Sequence, residues 1–115
     1  MANDFKRFCV PDGATSNTTL YTVPGSSKES IVIGITMANK TNTGITGSIF
    51  IDNEDGSNDV FIVKDASIPA GSSLEVMSGN KLVLQSDASG NADNLEGIAS
   101  TASALDITVS VLEDV

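Results

Sequence analysis

Residues 68–84 read Ile68-Pro69-Ala70-Gly71-Ser72-Ser73-Leu74-Glu75-Val76-Met77-Ser78-Gly79-Asn80-Lys81-Leu82-Val83-Leu84, two apolar runs separated by turn-forming residues. Pro69 fixes its own φ and brings no N–H to a ladder, so it belongs at the end or edge of a strand. Gly71 gives the backbone freedom to redirect the chain, and Ser78-Gly79-Asn80 is typical of a turn between two strands. The stretch therefore predicts a tight corner followed by a β-hairpin, and with it an all-β domain.

Upstream, the segment 29–39 carries the clearest strand pattern in the chain. Period-two spacing places alternate residues on one face, and the members of its more apolar face are Ile31, Ile33, Ile35 and Met37. After a turn at 40–44, the segment 45–52 is predicted to be the antiparallel partner of this strand. Its core face is expected to contain Ile45, Gly47, Ile49 and Ile51, with Phe50 pointing the opposite way.

Downstream, the segment 105–111 alternates cleanly, and its inward residues are expected to be Leu105, Ile107, Val109 and Val111. Further short strands are predicted at 5–10, 18–23, 60–63 and 95–100, whereas 99–104 can hold one helical turn at most. Eight or nine short strands predict an all-β, two-sheet antiparallel sandwich or jelly-roll-like fold, with an open barrel as the second choice. We expect residues 1–17 to form an N-terminal arm or edge strand and residues 18–115 a single β-sandwich domain.

Composition limits the classes of partner. The chain has 115 residues, enough for one domain, and its fifteen acidic and six basic residues give a formal charge of −9. Nucleic acid is a poor partner for such a chain, because phosphate binding depends on clustered Lys and Arg. The N-terminus lacks the apolar core of a signal peptide, and no apolar run approaches the ~20 residues that span a bilayer. We therefore expect no membrane partner and a soluble product made in a cytoplasm.

The residues needed for common catalytic sites are missing. The chain contains no histidine and no tryptophan, so neither a Ser-His-Asp nor a Cys-His arrangement can form. No glycine-rich segment has the Lys-Ser/Thr ending of a phosphate loop. Cys9 is the only cysteine, and we expect it to be a small buried hydrophobe rather than a nucleophile. The sequence thus predicts neither an enzyme nor a bound cofactor.

Two acidic segments raise the question of calcium. In an EF-hand loop a glycine follows the first ligand by five residues, and Gly56 fails that register in the segment 52–59. The segment 87–93 alternates possible oxygen ligands but has Ala92 where that glycine should be. Ordinary turns are predicted for both segments, and a calcium site of another class is the alternative.

Phe5-Lys6-Arg7-Phe8 concentrates two aromatic and two basic residues near one end of the chain. One interpretation is an edge strand whose two phenylalanines lie in the core. The other is an arm that docks onto another subunit, and these four residues are then the candidate interface.

Several turn-and-strand segments together resemble a family of small virion structural proteins of tailed bacteriophages, including those of cyanobacteria. The matching segments are Val23-Pro24-Gly25, Ile68 to Val76, Lys81-Leu82-Val83-Leu84, and Ser103 to Glu113. The resemblance covers about Leu20 to Glu113. Where members of that family commonly carry a glycine and an aspartate, this chain has Gln85-Ser86-Asp87 and an inserted loop that ends at Asn94.

The resemblance implies a β-sandwich that binds the outer surface of the major capsid protein lattice as a decoration, or cement, protein. It implies no catalytic residues, a location in the virion after assembly in the host cytoplasm, and the major capsid protein or other virion proteins as partners. A neck, tail or fibre-attachment protein is the alternative within this class, and a glycan-binding module is the alternative outside it. Homo-oligomers are possible in each case.

Overall fold

The structure is a computed structural model that describes residues 3–52, 59–77 and 81–114. Within these ranges the chain forms nine β-strands and no helix. In chain order the strands are β1 (Asn3–Val10), β2 (Thr18–Thr22), β3 (Glu29–Asn39), β4 (Ile45–Asp52), β5 (Asp59–Ile68), β6 (Ser73–Glu75), β7 (Leu82–Gln85), β8 (Asn94–Ala99) and β9 (Leu105–Asp114).

The strands form two antiparallel sheets, which confirms the predicted sandwich. The first sheet has the order β1-β9-β3, and both β6 and β7 pair with the remaining edge of β3. The second sheet has the order β2-β8-β4-β5. The first and last of the described strands, β1 and β9, are therefore neighbours in the first sheet.

The core lies between the inner faces of the two sheets. The predicted inward residues of β9 are all buried, and Ile45, Gly47 and Ile49 of β4 face them from the second sheet. Phe50 points away from the core, as the alternation predicts. It is almost completely buried because Phe61 of the adjacent strand β5 packs against it. Alternating aliphatic residues on facing sheets are what a two-layer β domain needs to remove apolar surface from water.

The predicted pairing of β3 with β4 is wrong, because the two strands belong to different sheets. Asn39, the last residue of β3, explains the crossing between sheets. Its buried side-chain amide donates hydrogen bonds to the backbone oxygens of Thr43, Ile68 and Pro69, at 2.8, 3.0 and 3.2 Å. The turn after β3 is thereby fixed to the corner that follows β5, and the chain enters the second sheet instead of folding back on β3.

The predicted hairpin of residues 73–84 is also wrong. β6 pairs with Thr36–Ala38 and β7 pairs with Glu29–Val32, so both run in the same direction along one edge of β3. They form one interrupted edge strand rather than two strands that face each other. The turn predicted at residues 78–80 lies outside the described residues.

A β-bulge in β3 changes which of its residues face the core. Its pairing with β9 shifts register between Val32 and Gly34. Because one residue is inserted, alternation changes phase there, and Val32, Ile35 and Met37 all point inward. Ile31 and Ile33, predicted to share one face with Ile35 and Met37, lie instead on the opposite, outer face.

Candidate interaction surfaces

The two phenylalanines of β1 lie on opposite faces of the strand, as residues three positions apart must. Phe8 packs against the core, with its ring centroid 5.1 Å from that of Tyr21. Phe5 is 78% exposed and points to the outside of the first sheet, as does Arg7. The expectation that both phenylalanines lie in the core is therefore wrong for Phe5.

Lys6 connects β1 to a buried polar cluster between the sheets. Its ammonium lies 3.2 Å from the carboxylate of Glu113, which is almost fully buried. The Tyr21 hydroxyl donates a hydrogen bond to the same carboxylate and lies 2.8 Å from the Ser30 hydroxyl. Burial, followed by the contact with Glu113, raises the pKa of Tyr21. This cluster joins β1, β2, β3 and β9 and holds the N-terminal strand in place.

An apolar row crosses the outer face of the first sheet. Phe5 is paired with Leu112, Leu112 with Ile31, and Ile31 with Val83, so the row spans β1, β9, β3 and β7. Val83 is 57% exposed, and Ile33, two residues after Ile31 on β3, is 40% exposed. We call these five side chains the apolar row. Contiguous apolar surface of this kind is typical of sites that bind another protein.

The outer face of the second sheet has a different chemistry. Phe50 and Phe61 are cross-strand partners whose ring centroids are 5.0 Å apart, and Phe61 covers Phe50 from solvent. Glu96 pairs with Phe50 on its other side. Two residue pairs further along, and therefore on the same face, Asp52 of β4 lies opposite Asp59 of β5. Two aromatic rings and three carboxylates therefore share one face, which we call the acidic face.

Glu96 is an unfavourably placed carboxylate. It is only 8% exposed, and burial, followed by the charges of Asp52 and Asp59, raises the pKa of this side chain. A carboxyl group whose pKa is raised by folding favours the folded state when it is protonated. Its contribution to stability is therefore complete below the unfolded-state pKa and is lost as the pH rises through the folded-state pKa.

The variant Glu96→Gln is expected to unfold at a higher urea concentration than the wild type at pH 7. The gain should be less than about 1 kcal/mol, because the carboxylate oxygens still reach solvent, which screens the repulsion from Asp52 and Asp59. It should disappear below pH 4.5, the reference value for glutamate. Far-UV circular dichroism at several pH values measures the difference. Glu29→Gln, which removes an exposed carboxylate, is the control, and an equal gain in both variants would contradict the assignment.

The carboxylate of Asp87 bonds to its own loop. One of its oxygens accepts hydrogen bonds from the backbone N–H groups of Ser89 and Asn91, both at 2.9 Å, and the other accepts one from the Asn91 side chain. Among the residues that the structure describes, no group of three or more Asp, Glu or Cys side chains could hold a metal ion. Most of the other candidate calcium segment, 53–58, lies outside the described residues.

Cys9 is exposed, and the prediction that it is buried is wrong. Because Phe8 and Val10 point inward, the residue between them must point outward. Together with Pro11, Asp106 and Thr108, it borders a shallow groove at the end of the first sheet. The alternation of the strand could have revealed this exposure.

Comparisons with known proteins show little relationship. No protein-family model and no curated protein matches the chain. A solved structure titled "Structure of infectious bursal disease virus Gx strain" is similar over 97% of this chain, with a TM-score of 0.46 and 12% sequence identity. This chain spans 31% of the length of the chain in that structure. In the described part of the chain, no helix is long and apolar enough to cross a membrane.

Proposed function

We propose that this chain is a structural protein of a tailed-bacteriophage virion and that it decorates the capsid. In this proposal it binds the outer surface of the major capsid protein lattice through the apolar row. The observation that carries the proposal is the row itself, four cross-strand neighbours with Phe5 largely exposed at one end. The family resemblance of the turn and strand segments supports the virion setting.

The attachment of β1 is part of this proposal. Eight consecutive residue pairs join β1 to β9, and Lys6 contacts the buried Glu113. Phe5 is thus presented from a regular sheet rather than from a free chain end. A rigid aromatic side chain loses little conformational entropy on binding, so it makes an efficient anchor for a contact repeated over many copies.

The chain's residues also favour adhesion over chemistry. A chain without histidine lacks the commonest general base, and the polar groups buried between the sheets are engaged with one another in the Tyr21–Glu113 cluster. We propose that the protein has no catalytic activity and that its work is to hold neighbouring capsid subunits together.

Phe5→Ser is expected to weaken binding to capsids assembled from the major capsid protein alone. Loss of an aromatic anchor should cost about 2 kcal/mol, roughly thirtyfold in affinity, while the urea midpoint changes little because Phe5 is largely exposed. Co-sedimentation with the capsids measures the affinity. Val83→Ser within the row and Val60→Ser on the second sheet form a matched pair, because both side chains are about half exposed.

Unchanged binding of Phe5→Ser, or equal losses in the two valine variants, would contradict docking through the apolar row. The position in the virion is tested separately by cryo-electron microscopy of the intact particle. A copy number in the hundreds agrees with decoration, whereas about a dozen copies would place the chain at a neck or tail of lower symmetry.

A further inference from the structure

The edges of the two sheets differ in regularity. β2 has a register shift between Thr19 and Tyr21, and the pairing of β5 with β4 shifts register twice. A third edge is divided between β6 and β7. Bulges and short, interrupted strands protect an edge from pairing with another chain. β1 lacks this protection, because eight consecutive residue pairs join it to β9 and, among the described residues, no strand pairs with its other edge.

The free edge of β1 offers hydrogen-bonding groups of the backbone. In a regular strand these groups point to both sides, so those that do not face β9 are available to a further strand. Lys6 lies on the inner face, where it reaches Glu113, and Asp4 shares that face. Both Asp4 and Lys6 are nevertheless exposed, so the second sheet leaves this end of β1 uncovered.

The side chains of β1 complement those of a second copy of the same strand. When two antiparallel copies are related by a two-fold axis perpendicular to the sheet, directly opposite residues lie on the same face. If the axis passes through Phe5, Asp4 of each copy lies opposite Lys6 of the other, and the two Phe5 rings lie side by side on the outer face. Opposite charges and paired aromatic rings are both favourable cross-strand pairs.

Neighbouring registers lack this complementarity. An axis through Asp4, Lys6 or Arg7 places that charged residue opposite its own copy, and like charges directly opposite each other are destabilising. An axis through Phe8 leaves both basic residues opposite uncharged ones. Of these registers, only the one centred on Phe5 pairs opposite charges.

We propose that two copies of this chain pair through β1, antiparallel and with Phe5 on the two-fold axis, so that their first sheets join into one. Lys6 keeps its contact with Glu113, because an ammonium has further N–H donors for Asp4. The apolar rows of the two copies then meet at their Phe5 ends and form one strip across the joined sheet. The pairing forms in solution through the edge of β1, so it does not depend on capsid docking.

Net charge opposes this pairing, and the edge of β1 reduces the opposition. A chain with a formal charge of −9 repels its own copy. Lys6 and Arg7, two of the six basic residues of the chain, both lie on β1. Because a single paired edge is a small interface, the dimer is expected to be weak and to dissociate on dilution.

Cysteine cross-linking tests the register. Cys9 is the only cysteine, so Cys9→Ser gives a background without thiols. Phe5→Cys on this background places two thiols directly opposite each other, within the range of a disulfide, and oxidised glutathione is expected to produce a covalent dimer. Arg7→Cys, also exposed on the outer face, is the matched control, because its two thiols would lie about 14 Å apart at the rise of a strand.

Sedimentation equilibrium over a series of concentrations tests the charge pairing, and the wild type is expected to show a monomer–dimer equilibrium. Asp4→Lys should weaken the dimer about tenfold or more, since two attractive cross-strand pairs become repulsive. Glu29→Lys makes the same change of charge at an exposed residue of β3 and should not weaken it. Circular dichroism spectra check that every variant is folded.

A wild-type chain that stays monomeric at millimolar concentration would overturn the proposal. Equal cross-linking of Phe5→Cys and Arg7→Cys would show that the thiols meet by random collision, and an Asp4→Lys dimer as stable as that of Glu29→Lys would show that Asp4 does not face Lys6. Either result would also overturn it. These experiments contain no capsid protein, so their outcome is separate from that of capsid docking.

Discussion

Gly47→Val is expected to lower the free energy of unfolding by about 1 to 3 kcal/mol, the usual range for overpacked cores. A Cβ atom at this position would lie 2.8 Å from the sulfur of Met37 and 3.2 Å from Cδ2 of Leu105. Ile68, at 3.4 Å, limits the space into which either neighbour could move. The side chains of the facing sheet fill the space that β4 leaves open at this point, so a valine must displace them within the closed core.

Urea unfolding followed by far-UV circular dichroism measures this effect, since the chain has no tryptophan for fluorescence. Gly44→Val is the matched control, because nothing lies within 4 Å of a Cβ atom built on Gly44. Its unfolding free energy should change by no more than about 0.5 kcal/mol, as at other open surface positions. If the two valine variants were equally stable, the close packing of the facing side chains against Gly47 would be refuted.

Local sequence pattern predicted the strands better than their partners. The segments predicted at 29–39 and 45–52 coincide with β3 and β4, and the one at 95–100 became β8, which lies between β2 and β4 in the second sheet. Alternation reports burial on one face of a strand, and it carries no information about which strand lies alongside. Pairing here depends on contacts between distant residues, such as the Asn39 amide and the carbonyl groups of the later corner.

Only part of the candidate surfaces could be predicted from the sequence, again because a local pattern does not show which strands are neighbours. Phe5 to Phe8 were singled out from their composition, and their spacing of three could have shown that only one phenylalanine reaches the core. Ile33 and its place in the apolar row could not be predicted, because a single inserted residue in β3 reverses the alternation. Glu96 falls within the segment predicted as a strand at 95–100, and nothing in the sequence marked it as buried. Its burial follows only from its position beside Phe50, on a strand whose partners were unknown.

Asn39→Leu is expected to destabilise the protein by about 3 to 5 kcal/mol, the range for breaking a buried hydrogen-bond network. The leucine side chain removes the donor to the backbone oxygens of Thr43, Ile68 and Pro69. It also removes the amide oxygen that accepts hydrogen bonds from the backbone and the hydroxyl of Thr41, at 2.9 and 2.6 Å. Backbone groups at the crossing between the sheets then lose partners that a leucine cannot replace.

Asn39→Asp separates hydrogen bonding from side-chain size. The carboxylate keeps an acceptor for Thr41 but places a negative charge against the carbonyl oxygens of Ile68 and Pro69, so a loss similar to that of leucine is expected at pH 7. Protonation below about pH 4 restores one donor, and part of the lost stability should return relative to the wild type at the same pH. Asn91→Leu, at an exposed amide that bonds within its own loop, is expected to have a much smaller effect. Equal losses at positions 39 and 91, or an Asn39→Asp deficit that does not depend on pH, would show that the crossing is held by other contacts.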